Sequence, residues 1–235
     1  MTKILLSLTF IIISNIIIAQ DFFAKSESFF AQHVSNGLVD YDAILDNPDD
    51  MDDLVKIIAN ADIESMKDQE RKAFLINAYN ISVIKGLVDS WPIDNPLNIE
   101  GFFEKEKHNI GGEKITLNEI ENEKLRPIYN DARLHFVLVC GAISCPKIAS
   151  FAYTPENLEA MLEERTKLAL NNDEFIQVND GKKIVKISEI FFWYSEDFKS
   201  EGQDYISFIN QYRAKPIGAD YVVDKYTYDW SVNKK

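Results

Sequence analysis

The chain has 235 residues, 46% hydrophobic and 27% charged, a composition that supports a folded core and excludes wholesale disorder. Its formal net charge of −13 repels phosphate backbones and anionic lipid, so nucleic acid is not an expected partner. Three histidines and two cysteines are the only residues of their kinds, which keeps the search for reactive chemistry short.

The amino terminus reads Met1, Thr2, Lys3 and then an apolar run from Ile4 to Ile18, ending at Ala19 and Gln20. A short positive region, an apolar core and a small residue before polar sequence are the order of a secretory signal. Residues 1–19 are therefore expected to be removed, leaving a secreted or periplasmic protein with no stable membrane span. A retained anchor is the alternative, since Ile17 is bulky for its place. Against it, Ser14 and Asn15 interrupt a stretch that needs about 20 clean apolar residues to span. The remaining residues 20–235 carry a net charge of −14, show no repeat or linker, and are read as a single globular domain.

Phe22, Phe23, Ser26, Phe29, Phe30 and Val34 follow a helical period that Ser35, Asn36 and Gly37 stop. A short extended piece is expected from Val39 to Ile44, then a helix from about Asp50 to Ala61. The longest helix is predicted from about Asp68 to Ser90, with Phe74, Ile81, Ile84, Leu87, Val88 and Trp91 as its apolar stripe and Pro92 barring continuation. Gly111-Gly112 joins Lys107–Ile110 to Glu113–Ile115 as a hairpin, because both turn positions tolerate positive φ. Thr116 and Glu119 form a capping box, so a helix should start there and run to about Arg126, before Pro127.

The short apolar run Leu134 to Cys140, followed by Gly141, predicts a buried strand. A helix opens at Thr154-Pro155 and runs through Leu170; a second hairpin joins Phe175–Val178 to Lys183–Ile187. Helices follow over Ser188–Tyr194 and Asp204–Arg213, with a late strand at Tyr221–Val223. Helices and antiparallel pairs mix without βαβ alternation, which argues for an α+β fold with several helices packed on a small, mainly antiparallel sheet.

Polar chemistry concentrates between Asp131 and Pro146, where His135, Arg133, Cys140 and Cys145 lie close in sequence. In an exported chain an even cysteine pair first suggests a disulfide, although closing so small a loop stabilises by only about 2 kcal/mol. The alternative is a reactive thiol. On a regular strand His135 and Cys140 face opposite sides, so pairing them needs a bend at Gly141. If Pro146 begins a helical turn, Cys145 caps it, which would favour an exposed thiolate there and leave Cys140 buried. On the long helix, Asn77 and Asn80 share a face and must find partners, either in a ligand or in a neighbouring loop. Glu121, unlike the capping Glu119, is free to orient an imidazole. The run Phe191, Phe192, Trp193, Tyr194 with Phe198 reads as core; Tyr226, Tyr228 and Trp230 dock on the core or, as the alternative, grip a sugar. The histidines His33, His108 and His135 are widely spread, with no zinc-binding spacing and no phosphate-cradling loop, so no metal or cofactor is called for.

Separated motifs carry a resemblance: FLINAYN at Phe74 to Asn80, ITLNEIE at Ile115 to Glu121, Leu125-Arg126, DARLHFVLVCGAISCP at Asp131 to Pro146, and SEIFFWYSEDF at Ser188 to Phe198. Together they resemble the family known as domain of unknown function 547, over most of the chain from Val39 to about Trp230. The chain departs from that pattern at Leu75, where the family often has tryptophan, at Asn122, where it often has histidine, and at Ala132, where it often has proline. The missing second histidine weakens a metal or two-histidine mechanism. Plant-type members keep the first cysteine and commonly carry serine at the second, which implies that a shared role would fall to Cys140 and opposes the exposure argument for Cys145.

The leading expectation is a thiol-dependent hydrolase or transferase acting on an amide or ester substrate. Cys140 or Cys145 would be the nucleophile, His135 the base, Glu121 or an asparagine the orienting group, and Arg126 or Arg133 the holder of a substrate carboxylate. The alternative is a noncatalytic module whose Asn77, Asn80 and Cys/His region binds a small-molecule or peptide ligand.

Overall fold

A computed structural model describes residues 21–199 and 202–235. The expected signal segment, residues 1–19, lies outside the described residues. The architecture is α+β, with helices around three small sheets rather than one. Among the described residues no helix is long and apolar enough to cross a membrane.

Helix α1 occupies residues 21–33 and buries Phe22, Phe29 and Phe30, as its period predicts. Strands β1 (Val34–Ser35) and β2 (Leu38–Val39) pair through the turn at Asn36-Gly37. The expected extended piece ends early: α2 (Tyr41–Asp46) starts where the Asp40 carboxylate accepts the Ala43 amide and caps a helix. α3 spans Asp49–Asn60.

At the centre lies α4 (Asp68–Asp89). Its burial is wider than the single stripe the sequence suggests, because Ala73 through Ile84 are buried on every side. A helix covered all round must satisfy its polar side chains internally. Asn77 does so by pairing with both backbone groups of Tyr153, donating to its carbonyl at 2.6 Å and accepting its amide at 3.0 Å. Asn80 donates to the Val137 carbonyl at 2.9 Å and accepts the Val139 amide at 3.0 Å.

That second clamp explains a correction. The run Leu134 to Cys140 is not a strand; Ala132–Phe136 form a 3-10 turn capped by Asp131, and the chain then runs irregularly to Gly141. A continuous apolar run signals burial without fixing a period. Here the buried backbone finds its partner in the Asn80 amide instead of a neighbouring strand.

β3 (His108–Ile110) and β4 (Glu113–Ile115) form the expected hairpin, and the Thr116/Glu119 capping box is present. The helix beyond it has three parts: α5 (Leu117–Glu119), a π turn (Ile120–Leu125) and α6 (Arg126–Tyr129). It passes Pro127 instead of stopping before it. Pro127 sits in the first turn of α6, where a missing amide is tolerated.

α7 begins at Leu158 rather than Pro155 and ends at Leu170. β5 (Ile176–Asn179) and β6 (Ile184–Ile187) are antiparallel, whereas β7 (Val222–Lys225) joins β6 in parallel. Between them lie α8 (Ile190–Trp193), α9 (Ser195–Phe198) and α10 (Tyr205–Asn210). Phe136 meets Phe191, Phe198 and Phe208 in an aromatic core. After β7 the tail crosses the cysteine loop, with Ile143 and Ser144 donating to the Ser231 and Asp229 carbonyls. Asn233 links Gly141 to Val39.

Candidate active site

The π turn widens the helix at Ile120–Leu125, a distortion that often marks a functional position, and Glu121 is buried within it. Its Oε2 accepts from the Tyr79 hydroxyl at 3.5 Å. Burial and the charge of the nearby Glu121 push the Tyr194 phenol far above its ordinary value, so it stays protonated. Tyr79 is pushed up in the same way.

His135 sits on the 3-10 turn and is only 4% exposed, with its ring against Tyr194 at 4.2 Å between centroids. Its Nε2 lies 2.6 Å from Asp197 Oδ2 on α9, while its Nδ1 is 3.8 Å from Glu121 Oε1. The close partner is thus Asp197, and Glu121 stands off the other nitrogen. Asp197 also receives both Nε and Nη2 of Arg126, at 2.6 and 3.0 Å. Burial alone would raise the Asp197 pKa, but the bonds from His135 and Arg126 outweigh it and hold the carboxyl well below the usual range. Asp197 thus holds the imidazole by Nε2, which leaves Nδ1 on the Glu121 side.

Cys140 and Cys145 are joined as a disulfide with Cα atoms 6.4 Å apart, so neither carries a free thiol in this structure. The expected nucleophile is therefore absent in the oxidised form. Pro146 starts no helical turn, and burial is the reverse of that expected: Cys145 is 8% exposed and Cys140 is half-buried. Gly141 allows the loop to close. Its φ is +78°, where a side chain is strained, and an added Cβ would lie 2.5 Å from Leu87 Cδ1 and push that methyl aside. The Cys140 amide donates to Cys145 Sγ at 3.0 Å, and the Tyr228 hydroxyl lies 3.1 Å from Cys145 Sγ and 3.2 Å from Cys140 Sγ.

These groups meet in one pocket of about 410 Å³. Glu121, His135 and both cysteines line it, with Tyr79, Tyr194 and Tyr228 offering hydroxyls and Phe103, Trp193 and Trp230 forming walls. The aromatic run read as core divides: Phe191 and Phe198 are buried, Trp193 and Tyr194 face the pocket. A larger hollow of about 800 Å³ on the other side of the cysteine loop also touches Cys145, but its lining includes no histidine.

The residues expected to bind substrate do not gather there. Asn77 and Asn80 are 0% and 2% exposed, saturated by backbone groups, and do not line the pocket. Arg126 stands behind Tyr194, with its guanidinium 4.6 Å over that ring and taken up by Asp197, Glu196 and Asn122. Arg133 pairs with Asp131 and Glu159 away from the pocket. Residue type and spacing do not point to Asp197 or Tyr79, whereas Tyr228 and Trp230, the ligand-gripping alternative of the sequence, both line the pocket. Asp197 does stand within the SEDF motif, and Tyr79 stands between the two asparagines.

Residues 63–168 match the model of the family described as "Protein of unknown function, DUF547". The matched segment contains Glu121, His135 and both cysteines, and ends before Asp197 and Tyr228. No curated protein and no solved structure is matched by the chain.

Proposed function

With residues 63–168 matching the domain of unknown function 547, we propose that the chain is an exported protein whose aromatic pocket binds a small neutral or cationic ligand. The observation carrying this reading is the charge of the lining. Glu104 and Glu121 are its carboxylates, and no lysine or arginine lines the pocket. A carboxylate floor beneath tryptophan and tyrosine faces suits an ammonium or a polar neutral group on an apolar body. An anion would meet Glu104 and Glu121 with no lysine or arginine among the described lining residues to offset them.

The test is a titration of tryptophan emission, since Trp193 and Trp230 line the pocket. Benzyltrimethylammonium should give a saturable change that weakens at least several-fold in Glu121→Gln, while benzoate should not bind. Tighter binding of benzoate, or no saturable response to either compound, would overturn the reading.

One observation favours a second reading. His135 is held by Asp197 as a catalytic base is held by its orienting carboxylate, and the cysteines border the same pocket. After reduction, Cys140 could attack an amide or ester carbonyl with His135 taking the thiol proton. A burst of nitrophenol from nitrophenyl acetate should then appear only in reduced protein and disappear in Cys140→Ser and His135→Ala. A burst of equal size in His135→Ala removes this reading.

A further inference from the structure

We infer that Cys140–Cys145 is a redox-active disulfide which exchanges with small neutral or amine-bearing thiols, with Cys140 as the sulfur attacked and Cys145 as the sulfur released. The inference rests on the pocket of the proposed function for the charge of its substrate, but its chemistry comes from the surroundings of the two sulfurs.

The two sulfurs are not equivalent. Both cysteines line the pocket, and Cys140 is the more exposed residue, half-buried where Cys145 is 8% exposed, which favours Cys140 as the sulfur attacked. Cys145 Sγ faces two donors, the Cys140 amide and the Tyr228 hydroxyl, whereas Cys140 Sγ faces that hydroxyl alone, at 3.2 Å, so the amide is what distinguishes them. A neutral disulfide sulfur is a weak acceptor and gains little from such donors; a thiolate gains much more, because hydrogen bonds to an ionised group are the strong ones. Burial keeps the Tyr228 phenol protonated, and the rings of Trp193 and Trp230, with centroids 4.9 and 4.8 Å away, hold it in place. The donors are therefore fixed before Cys145 acquires charge. A loop this short contributes little to stability as a mere crosslink, which leaves the arrangement better explained by chemistry.

The steps balance. A substrate thiolate attacks Cys140 Sγ, a new sulfur–sulfur bond forms, the Cys140–Cys145 bond breaks, and Cys145 keeps the electron pair as a thiolate. A second substrate thiolate attacks the substrate sulfur of this mixed disulfide and releases Cys140 as a thiolate. Two thiols become one disulfide, the protein pair takes up two electrons, and the substrate protons pass to solvent or to the cysteine thiolates. A small disulfide run through the same steps in reverse restores the bond, so exchange between small thiols and disulfides needs no other oxidant.

The test treats oxidised full-length protein with cysteamine or with mercaptoacetate, quenches with N-ethylmaleimide and maps the cysteine peptides. Cysteamine should be found on Cys140 and maleimide on Cys145. Tyr228→Phe should slow reduction by about tenfold, the loss expected of one hydrogen bond to a charged group, while near-ultraviolet circular dichroism reports whether the tryptophans remain packed. Should Tyr228→Phe lose that packing, the mapping in wild type still decides. Cysteamine found first on Cys145, an intact disulfide throughout, or an unchanged rate in well-packed Tyr228→Phe each overturns the inference. Exchange at equal rates with mercaptoacetate would instead leave the sulfur chemistry standing and remove the charge preference, and with it the ligand reading on which that preference rests.

Discussion

Two half-buried carboxylates, Asp131 and Asp197, organise the residues around them, and each makes acid a specific hazard. Asp131 receives Lys72 at 2.7 Å and Arg133 through two nitrogens at 2.9 and 2.8 Å. Burial opposes its ionisation, yet the bonds from Arg133 and Lys72 win and bring its pKa down to about 2, from 3.8. Lys72, which its sequence context suggests is solvated, is in fact 6% exposed and committed to this pair. Because the folded carboxyl is the stronger acid, its contribution is complete above pH 4 and is lost as pH falls from about 4 to about 2. The stability at stake is on the order of 2 kcal/mol. Denaturant melts across that range should show a decline in wild type that is smaller in Asp131→Asn, which should already be weaker at pH 7. A decline of equal size in both would contradict the assignment. Residue types alone made Glu121, His135, Cys140 and Cys145 legible as candidates in the sequence. Asp197 was not legible as the partner of His135, because the two are 62 positions apart and meet only through packing of α9.

Among the elements, those with an unbroken period were the readable ones. α3, α4 and the capping box at Thr116 lie where the apolar spacing and turn chemistry place them. The stretch from Leu134 to Cys140 was not readable, since its rungs come from the side chain of Asn80, 57 positions from Val137. The π turn was equally hidden, because its sequence carries the same helical signals as the α segments on either side. Asn80 therefore works as a structural element in its own right. Asn80→Leu strands a buried amide and a buried carbonyl and should cost about 1 to 3 kcal/mol; Asn77→Leu should do likewise at Tyr153. The exposed Lys56, replaced by alanine, should change stability by no more than about 0.5 kcal/mol. Midpoints of denaturation for the three variants test this, and an unmoved midpoint in either asparagine variant would contradict the clamp. Binding of a pocket ligand, measured above the midpoint loss, should respond more to Asn80→Leu than to Asn77→Leu, because only Asn80 holds the backbone that joins His135 to Cys140.

For the whole molecule, the determining feature is the tail that returns across the cysteine loop. The Tyr41 hydroxyl donates to Asn233 Oδ1 at 2.7 Å, a buried bond between residues 192 positions apart. Tyr41→Phe leaves Asn233 without that partner and should lower stability by about 1 to 3 kcal/mol; a change near zero would show the tail to be held by its backbone bonds alone. By this route Tyr228 and Trp230 close a pocket whose floor comes from the π turn and whose histidine comes from the 3-10 turn. A ligand seated in that pocket must sit beside His135. The chain has three histidines, His33, His108 and His135, so a nitrogen-15 imidazole spectrum can follow each of them. On titration with benzyltrimethylammonium the His135 resonances should move saturably while those of His33 and His108 stay unmoved. A spectrum in which His135 stays still at saturating compound, or in which all three histidines drift together, would contradict ligand binding in this pocket.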